Sequence, residues 1–368
     1  MSKEAFGIVT YGKCRYQIKV VEKAICLRVA RKAVGAAGYS EEFAALAGRR
    51  FSGTGADRAL LPPTVARRVD DALRKSIRRY PDKWRKSPVG NVAIDLPEAH
   101  NLILNQGLDY LGAGTAHWGS IGTYCVLGSG TTAPDYTQTG LVSEIVRTNN
   151  TLVAGTFTTD DVPTRTRTLQ RTYDFPAETS GKNYAELGLS HSGTVANNLS
   201  TRALIDGGTV AVATGQQARV VYKVIITLGA NAVMTPASST GWTAGLQGTS
   251  AFCTFGYTEN MASAGQSTAS LLALCTASTI PTFGTEFTSG TIANAGTSGL
   301  NAYTTGTYKR TRWSRWELAQ GVGTWRSLKI STAGSDSSNA WCFVFDNAQT
   351  KDNLHTLTIT WSMTYARG

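Results

Sequence analysis

The sequence lacks the cysteine and histidine patterns that hold metal ions in proteins. Its six cysteines include no C-x-x-C pair, and their spacing fits no zinc site. We therefore expect no metal site, and we expect free thiols in a protein assembled in a reducing cytoplasm. The cysteines stand at positions 14, 26, 125, 253, 275 and 342, and the scattered histidines at 100, 117, 191 and 355.

Long hydrophobic runs are also missing from the chain. The longest, near 220–228, is interrupted by Lys223 and is far shorter than the roughly 20 apolar residues that a membrane-spanning helix needs. The first residues, MSKEAFGIVTYGKCRYQ, contain no apolar run followed by a small-residue cleavage site. The sequence therefore predicts neither a membrane span nor a secretory leader.

Two short motifs approach enzyme signatures, but neither has the right surroundings. GSGTTA at 128–133 fits the dinucleotide-binding pattern, yet Pro134 follows it and no helical pattern begins there. GLSHSG at 188–193 approaches the nucleophile-elbow pattern G-x-S-x-G, but Ser192 stands where the pattern needs glycine. We therefore predict a turn at the first motif, a packing or surface role for His191, no cofactor and no enzymatic activity.

The excess of positive charge is concentrated in the first quarter of the chain. Residues 1–100 contain 20 Lys and Arg against 10 Asp and Glu, a net charge of +10, whereas residues 101–368 contain 16 against 15. Charge asymmetry of this kind indicates an acidic partner for the basic segment, which could be a protein surface or a nucleic acid.

The basic segment has a mostly helical pattern. In PPTVARRVDDALRKSIRRYP, the apolar residues Val65, Val69, Leu73 and Ile77 recur every fourth position, which predicts a helix that ends at Pro81. Similar spacing predicts an earlier helix over 18–29, a short one from Ser40 to Gly48, and a further one from about Pro97 to Leu111.

Beyond Gly112 the hydrophobic period changes from helical spacing to two. In TLTITWSMTY at 356–365, apolar and hydroxyl residues alternate without a break, which places them on opposite faces of a strand. Further strands are expected at 165–175, 209–214, 220–228 and 341–345. The stretch 229–308 has only two acids and no Lys or Arg, and we interpret it as long loops or a second β region.

These patterns together predict an α+β fold in which a helical basic N-terminal region precedes one or more antiparallel β-sandwich regions. We divide the chain into a docking region at 1–95, a β-sandwich module entered by a helix at 96–230, and a second β region, or a continuation of the same sandwich, at 231–368.

One part of the chain resembles a known class of proteins. Between roughly His100 and Gly229 the stretches NLILNQGLDYLG, YCVLGSGTTAPDYTQTGLVSEIVRTN, RTLQRTYDFPAE and GGTVAVATGQQARVVYKVIITL follow in that order. This order resembles a module of virion structural proteins of tailed bacteriophages. The resemblance implies a non-enzymatic component of the tail, baseplate, neck or fibre, assembled in the host bacterial cytoplasm with other virion proteins and with copies of itself, often as a trimer or ring.

On this interpretation the basic segment would bind a neighbouring subunit. Three alternatives stay open: a nucleic-acid-binding protein that uses the same segment, a capsid decoration protein, and a receptor- or glycan-binding fibre tip that uses Trp242, Phe252, Phe255 and Tyr257. The candidate partner-binding residues are Arg67, Arg68, Arg74, Lys75, Arg78, Arg79, Lys83, Trp84, Arg85 and Lys86.

Overall fold

The structure is a computed structural model with a β-rich α+β fold in which most strands pair antiparallel. No helix in the described ranges is long and apolar enough to cross a membrane. The structure describes residues 6–36, 63–87, 89–113, 118–152, 157–194, 198–228, 232–234, 248–252, 272–282, 290–330 and 341–368.

The described helices are short and most lie in the first third of the chain. They are α1 (Ala24–Gly35), α2 (Pro63–Arg79), α3 (Pro81–Lys86), α4 (Asn105–Ala113) and a 3-10 helix over Trp118–Gly122. The strands are β1 (Phe6–Lys23), β2 (Val89–Asp95), β3 (Ala99–Ile103), β4 (Tyr124–Gly128), β5 (Glu144–Thr148), β6 (Phe157–Asp161), β7 (Thr166–Asp174), β8 (Lys182–Tyr184), β9 (Glu186–Ser190), β10 (Leu199–Leu204), β11 (Val210–Val212), β12 (Gln216–Leu228), β13 (Ala232–Met234), β14 (Gly248–Phe252), β15 (Ala273–Cys275), β16 (Thr291–Asn294), β17 (Thr297–Leu300), β18 (Lys309–Trp316), β19 (Gly323–Ile330), β20 (Trp341–Lys351) and β21 (Leu357–Arg367).

The long strand β1 pairs with four other strands of the largest sheet. One edge of β1 pairs antiparallel with β12 from Thr10 to Glu22. Its other edge pairs in parallel with β21 and then antiparallel with β3 and β2. Because β12 and β21 belong to the two later segments of the sequence, β1 ties the N-terminal segment to both. The predicted domain division at 95 and 230 stays a prediction.

The expected helix over 18–29 is therefore partly wrong. The chain is a strand up to Lys23 and becomes helical only from Ala24. The alternate residues Tyr16, Ile18 and Val20 are buried, whereas Lys19 on the opposite face pairs with Asp95 at 2.9 Å. Backbone pairing on both edges of β1 outweighs a local apolar spacing that also fits a helix.

The expected helix from Pro97 to Leu111 is also partly wrong. Residues 99–103 form β3, which pairs with β1 and β10, and α4 begins only at Asn105. The expected helix from Ser40 to Gly48 lies outside the described residues. The described part of the first 95 residues thus contains α1, α2 and α3 but also β1 and β2, so a mostly helical N-terminal region is not shown.

The predicted strands agree with the structure where residues are described. In β21, Leu357, Ile359, Trp361, Met363 and Tyr365 are all buried, as the alternation predicts. The other expected strands correspond to β7, β11, β12 and the start of β20. Within 229–308, the described parts contain the short strands β13 to β17.

Apart from a small sheet of β8 and β11, the described strands fall into two large sheets that share one hydrophobic core. From β1 the first group continues through β21, β18 and β17 on one side, through β12, β7 and β6 on the other, and through β3 to β10, β9, β4 and β5. The second group has the order β13, β14, β20, β19, β15 and β16. Residues of both groups, such as Tyr222, Leu187 and Phe343, belong to the same core.

Helices α1 and α2 pack together in a separate, smaller core. The predicted helix at 63–79 is confirmed, and its stripe Val65, Val69, Leu73 and Ile77 is buried. These side chains contact α1 and Trp84 of α3, and burial of each contributes roughly 1.5–3 kcal/mol to stability. Because the apolar stripe faces inward, the charged residues of α2 lie on the outer face.

Candidate functional site

The GSGTTA loop binds a carboxylate of its own chain. Strand β4 ends at Gly128, and no helix occurs between Ser129 and Ser143. Instead, the N–H groups of Gly130, Ser143 and Val142 donate hydrogen bonds to the Glu186 carboxylate at 2.9, 2.8 and 3.1 Å. One backbone donor of the motif, the Gly130 N–H, is therefore occupied by an internal side chain, and the other two donors come from Val142 and Ser143 beyond the motif.

The two glycines of this loop are explained by the close approach of Glu186. A Cβ at Gly128 would lie 2.5 Å from the Ser143 carbonyl oxygen, and a Cβ at Gly130 would overlap the Glu186 carboxylate. Glycine is needed where a loop backbone comes this close to another group. The glycine spacing that resembles a dinucleotide-binding motif thus has a structural cause.

A buried arginine completes the arrangement. Arg202 donates from Nε and Nη2 to the Oε2 atom of Glu186 at 2.9 and 2.8 Å, and both side chains are 0% exposed. The same guanidinium donates to the carbonyl oxygens of Thr132 and Ala133 and to Gln138. The pair fixes both ends of the loop, and it could not be predicted from the sequence because the pairing depends on the fold.

The outer face of α2 and the exposed part of α3 form a continuous cationic surface, called here the basic surface. These side chains are exposed, and Asp71 and Asp82 lie among them. Among the predicted partner-binding residues, the side chain of Arg85 lies outside the part that the structure describes. The basic surface consists of Arg67, Arg68, Arg74, Lys75, Arg78, Arg79, Lys83 and Lys86.

The aromatic residues near the basic surface have opposite environments. Trp84, one of the predicted partner-binding residues, is 2% exposed and donates from Nε1 to Ser76 Oγ at 3.1 Å, so its ring is not on the surface. Tyr80 is 41% exposed, and the Lys83 ammonium and Arg79 guanidinium lie 4.8 and 5.4 Å from its ring centre. The aromatic group that a partner could contact here is Tyr80, while Trp84 supports the helices from inside.

A cleft of about 580 Å³ lies beside the basic surface. Helices α2 and α3 form one wall with Ile77, Pro81 and Trp84. The loop after β5 and the chain after β7 form the other wall, and Gln217 of β12 also lines the cleft. The cleft therefore lies between the small helical core and one end of the large sheet.

His191 has a packing role in the structure. Its ring stacks on Tyr110, with centroids 3.9 Å apart, and its Nδ1 lies 3.3 Å from Ser200 Oγ. Burial and the nearby Arg147 charge lower the pKa of His191. Ser190 hydrogen-bonds to Asn198 rather than to this imidazole, so the GLSHSG segment does not bring a serine and a base together as a nucleophile needs.

The aromatic residues considered for glycan binding are at positions 242, 252, 255 and 257. Trp242, Phe255 and Tyr257 lie outside the described residues, as does the side chain of Phe252. In the described ranges, no group of three or more His, Cys, Asp or Glu side chains could hold a metal ion. The cysteines there, Cys14, Cys26, Cys125, Cys275 and Cys342, are buried and form no disulfide bond with one another.

The basic surface and the cleft beside it thus form the candidate binding site. Comparison with protein-family models, curated proteins and solved structures found no match to the chain. A functional interpretation therefore depends on the residues of this surface and on the resemblance noted in the sequence.

Proposed function

We propose that this protein is a structural component of a tailed-bacteriophage virion, built on β-sandwich layers, and that its basic surface binds an acidic surface of a neighbouring subunit. The order of sequence stretches between His100 and Gly229 supports the virion assignment. The observation that carries the docking assignment is the division of α2 between a buried apolar stripe and an exposed cationic face. Such a face is complementary to clustered carboxylates.

The environment of the aromatic residues favours a protein partner. Interfaces between proteins are enriched in Tyr and Arg, and a Tyr that is flanked by cations can serve as an anchor. Tyr80 with Arg79 has this composition. Trp84 cannot stack on a nucleic-acid base, because its ring is buried in the helical core.

Charge reversal on α2 tests the docking assignment. Deletion of the residues before Val89 would also remove β1 from the sheet, so substitutions are the cleaner experiment. We expect Arg74→Glu, Arg78→Glu and Arg79→Glu together to reduce incorporation into particles by about tenfold or more, measured by quantitative mass spectrometry of purified virions. Normal incorporation of this variant would refute the assignment.

A matched control lies on the neighbouring helix. Arg28, Arg31 and Lys32 of α1 are also exposed, and their reversal changes the net charge by the same amount. This control variant should enter particles normally. Equal losses in both variants would indicate a general effect of net charge rather than binding by α2.

Nucleic-acid binding is the second candidate, because the exposed ring of Tyr80 between two cations is also able to stack on an unpaired base. Fluorescence anisotropy with single- and double-stranded DNA at several salt concentrations separates the two candidates. Affinity for DNA would fall steeply with salt, with a slope of about 0.9 for each phosphate contacted in a duplex. On the docking proposal, no DNA binding is expected at physiological salt.

A further inference from the structure

The cleft beside the basic surface contains a buried amide that lacks a hydrogen-bond partner. Gln217 is 2% exposed, and its Nε2 atom has no acceptor within the described residues. The adjacent Gln216 is buried in a similar way, but its Oε1 atom accepts a hydrogen bond from the Ala213 N–H at 3.0 Å. Buried polar groups in native proteins are nearly always paired, and among the unpaired buried polar atoms of the described residues this donor belongs to a residue that lines the cleft, where an acceptor on a ligand would satisfy it.

The charges around the cleft restrict the chemistry of that ligand. Asp82 and Asp174 line the cleft, and its described lining includes no Lys or Arg. Asp174 accepts a hydrogen bond from Arg219 at 3.1 Å, so its charge is compensated within the protein. A carboxylate or phosphate would therefore enter a site without cations, whereas a neutral carbonyl oxygen fits the amide donor.

The walls of the cleft favour a peptide over a sugar. A sugar ring stacks best on an exposed aromatic face, but Trp84 and Phe175 are each only 2% exposed. The remaining surface combines an apolar part at Ile77 and Ala177 with the polar side chains of Thr148 and Asn150. An apolar side chain with peptide groups on either side matches this combination, and the volume is within the range of about 300–1,000 Å³ that ligand sites have.

We propose that the cleft binds an extended peptide segment of the acidic partner, in which one apolar residue is flanked by acidic residues. The apolar side chain contacts Ile77 and Ala177, a backbone carbonyl accepts a hydrogen bond from Gln217, and the flanking carboxylates contact Arg78, Arg79 and Lys83 of the basic surface. This inference rests on the proposed docking function and adds to it the chemical class of the segment that is recognised.

Two labelled peptides test the inference by fluorescence anisotropy at low salt. Both carry two glutamates on each side of a central residue, which is leucine in one and alanine in the other. Because the cleft would bury the larger side chain, the leucine peptide should bind about tenfold more tightly. The exposed residue Asn149 lies at the cleft, so Asn149→Trp should remove this preference while Asn149→Ala preserves it.

Substitution of Gln217 gives a second, independent measurement. Gln217→Met removes the unpaired donor at nearly constant size, and we expect it to weaken leucine-peptide binding severalfold while the unfolding temperature rises. The matched variant Gln216→Met loses a hydrogen bond that is made within the protein, so its unfolding temperature should fall. If Gln217→Met instead lowered the unfolding temperature and left peptide binding unchanged, Gln217 would be a structural residue and the inference would be wrong.

The outcomes distinguish this inference from the function on which it rests. Equal, salt-sensitive binding of both peptides that is lost in the α2 charge-reversal variant would overturn the cleft assignment and support docking by the basic surface alone. Absence of binding for both peptides at low salt would count against recognition of acidic segments by the basic surface, and the cleft assignment would fail with it.

Discussion

Removal of the Glu186 charge should destabilise the protein strongly. In Glu186→Gln the side chain keeps its shape, but Arg202 keeps a charge that is 0% exposed and loses its counter-charge. One carboxylate oxygen also becomes an N–H₂ group among the N–H donors of Gly130, Val142 and Ser143. Loss of one partner from a buried ion pair costs about 3–5 kcal/mol, and we expect a decrease of this size in the free energy of unfolding.

Equilibrium unfolding in urea, followed by circular dichroism, measures this change. The control is Glu317→Gln, because Glu317 pairs with Arg315 at 3.0 Å but both side chains are more than 40% exposed. Loss of that exposed pair should cost at most about 1 kcal/mol. A cost below about 1 kcal/mol for Glu186→Gln would refute the argument that the pair holds the loop.

The double variant shows whether the cost arises from the pair itself. Glu186→Gln combined with Arg202→Met removes both charges, so the buried guanidinium no longer lacks its partner. We expect the two substitutions together to cost less than the sum of the single costs, by about 0.5–3 kcal/mol. Additive costs would mean that Glu186 acts through the loop amides alone.

Two further predictions follow from burial. Trp84→Ala should lower the free energy of unfolding by about 3–5 kcal/mol in a urea titration, because its ring is buried. Tyr80→Ala on the exposed side should change it by about 0.5 kcal/mol or less. Similar costs for the two variants would contradict the assignment of Trp84 to the core and Tyr80 to the surface. Burial raises the pKa of Cys14 to about 12, while an unfolded thiol ionises near pH 8.5. The contribution of this thiol to stability should therefore be constant below about pH 8.5, and the free energy of unfolding should fall by up to about 1.4 kcal/mol per pH unit above it. Urea titrations at pH 7.5 and 10 would detect this change. Cys14→Ala should reduce the dependence of the unfolding free energy on pH.

Helix α2 and strand β21 could be predicted from the sequence because their environments match their patterns. Helix α2 buries its apolar stripe and exposes its charged face, so its apolar period is visible in the chain. Strand β21 buries its apolar face, and its hydroxyl face is half-buried at Thr358 and Thr364 and buried at Thr360 and Ser362, so here the alternation of residue types carries the signal. The cationic face of α2 follows from the same pattern. The position of Trp84 did not follow, because tryptophan beside cations has the same sequence signature whether its ring faces a partner or the core.

Strand β1 could not be predicted, since its residues satisfy two periods at once. Ile18 and Val21 fit a helical spacing that continues into the true helix α1, and Ile18 and Val20 fit an alternation. The choice between them depends on β12 and β21, which lie some 200 and 350 positions further along the chain. Local spacing contains no information about partners at that distance, although the pairings contribute most of the ordering of this segment.

The ion pair of Glu186 and Arg202 could not be predicted from local sequence spacing either. Strands β9 and β10 are buried on both faces at these positions, so neither strand has the alternation that would mark one charged residue as inward-facing. A charged residue in such a strand is itself a signal, because an unpaired buried charge is too costly to persist. Once one of the two is known to be buried, the other charge and the surrounding loop amides are required, and the glycines at 128 and 130 follow from the space that the carboxylate occupies. The glycine-rich loop is therefore a consequence of an internal ion pair, and its resemblance to a nucleotide-binding motif arises because both structures direct backbone N–H groups at a negative charge.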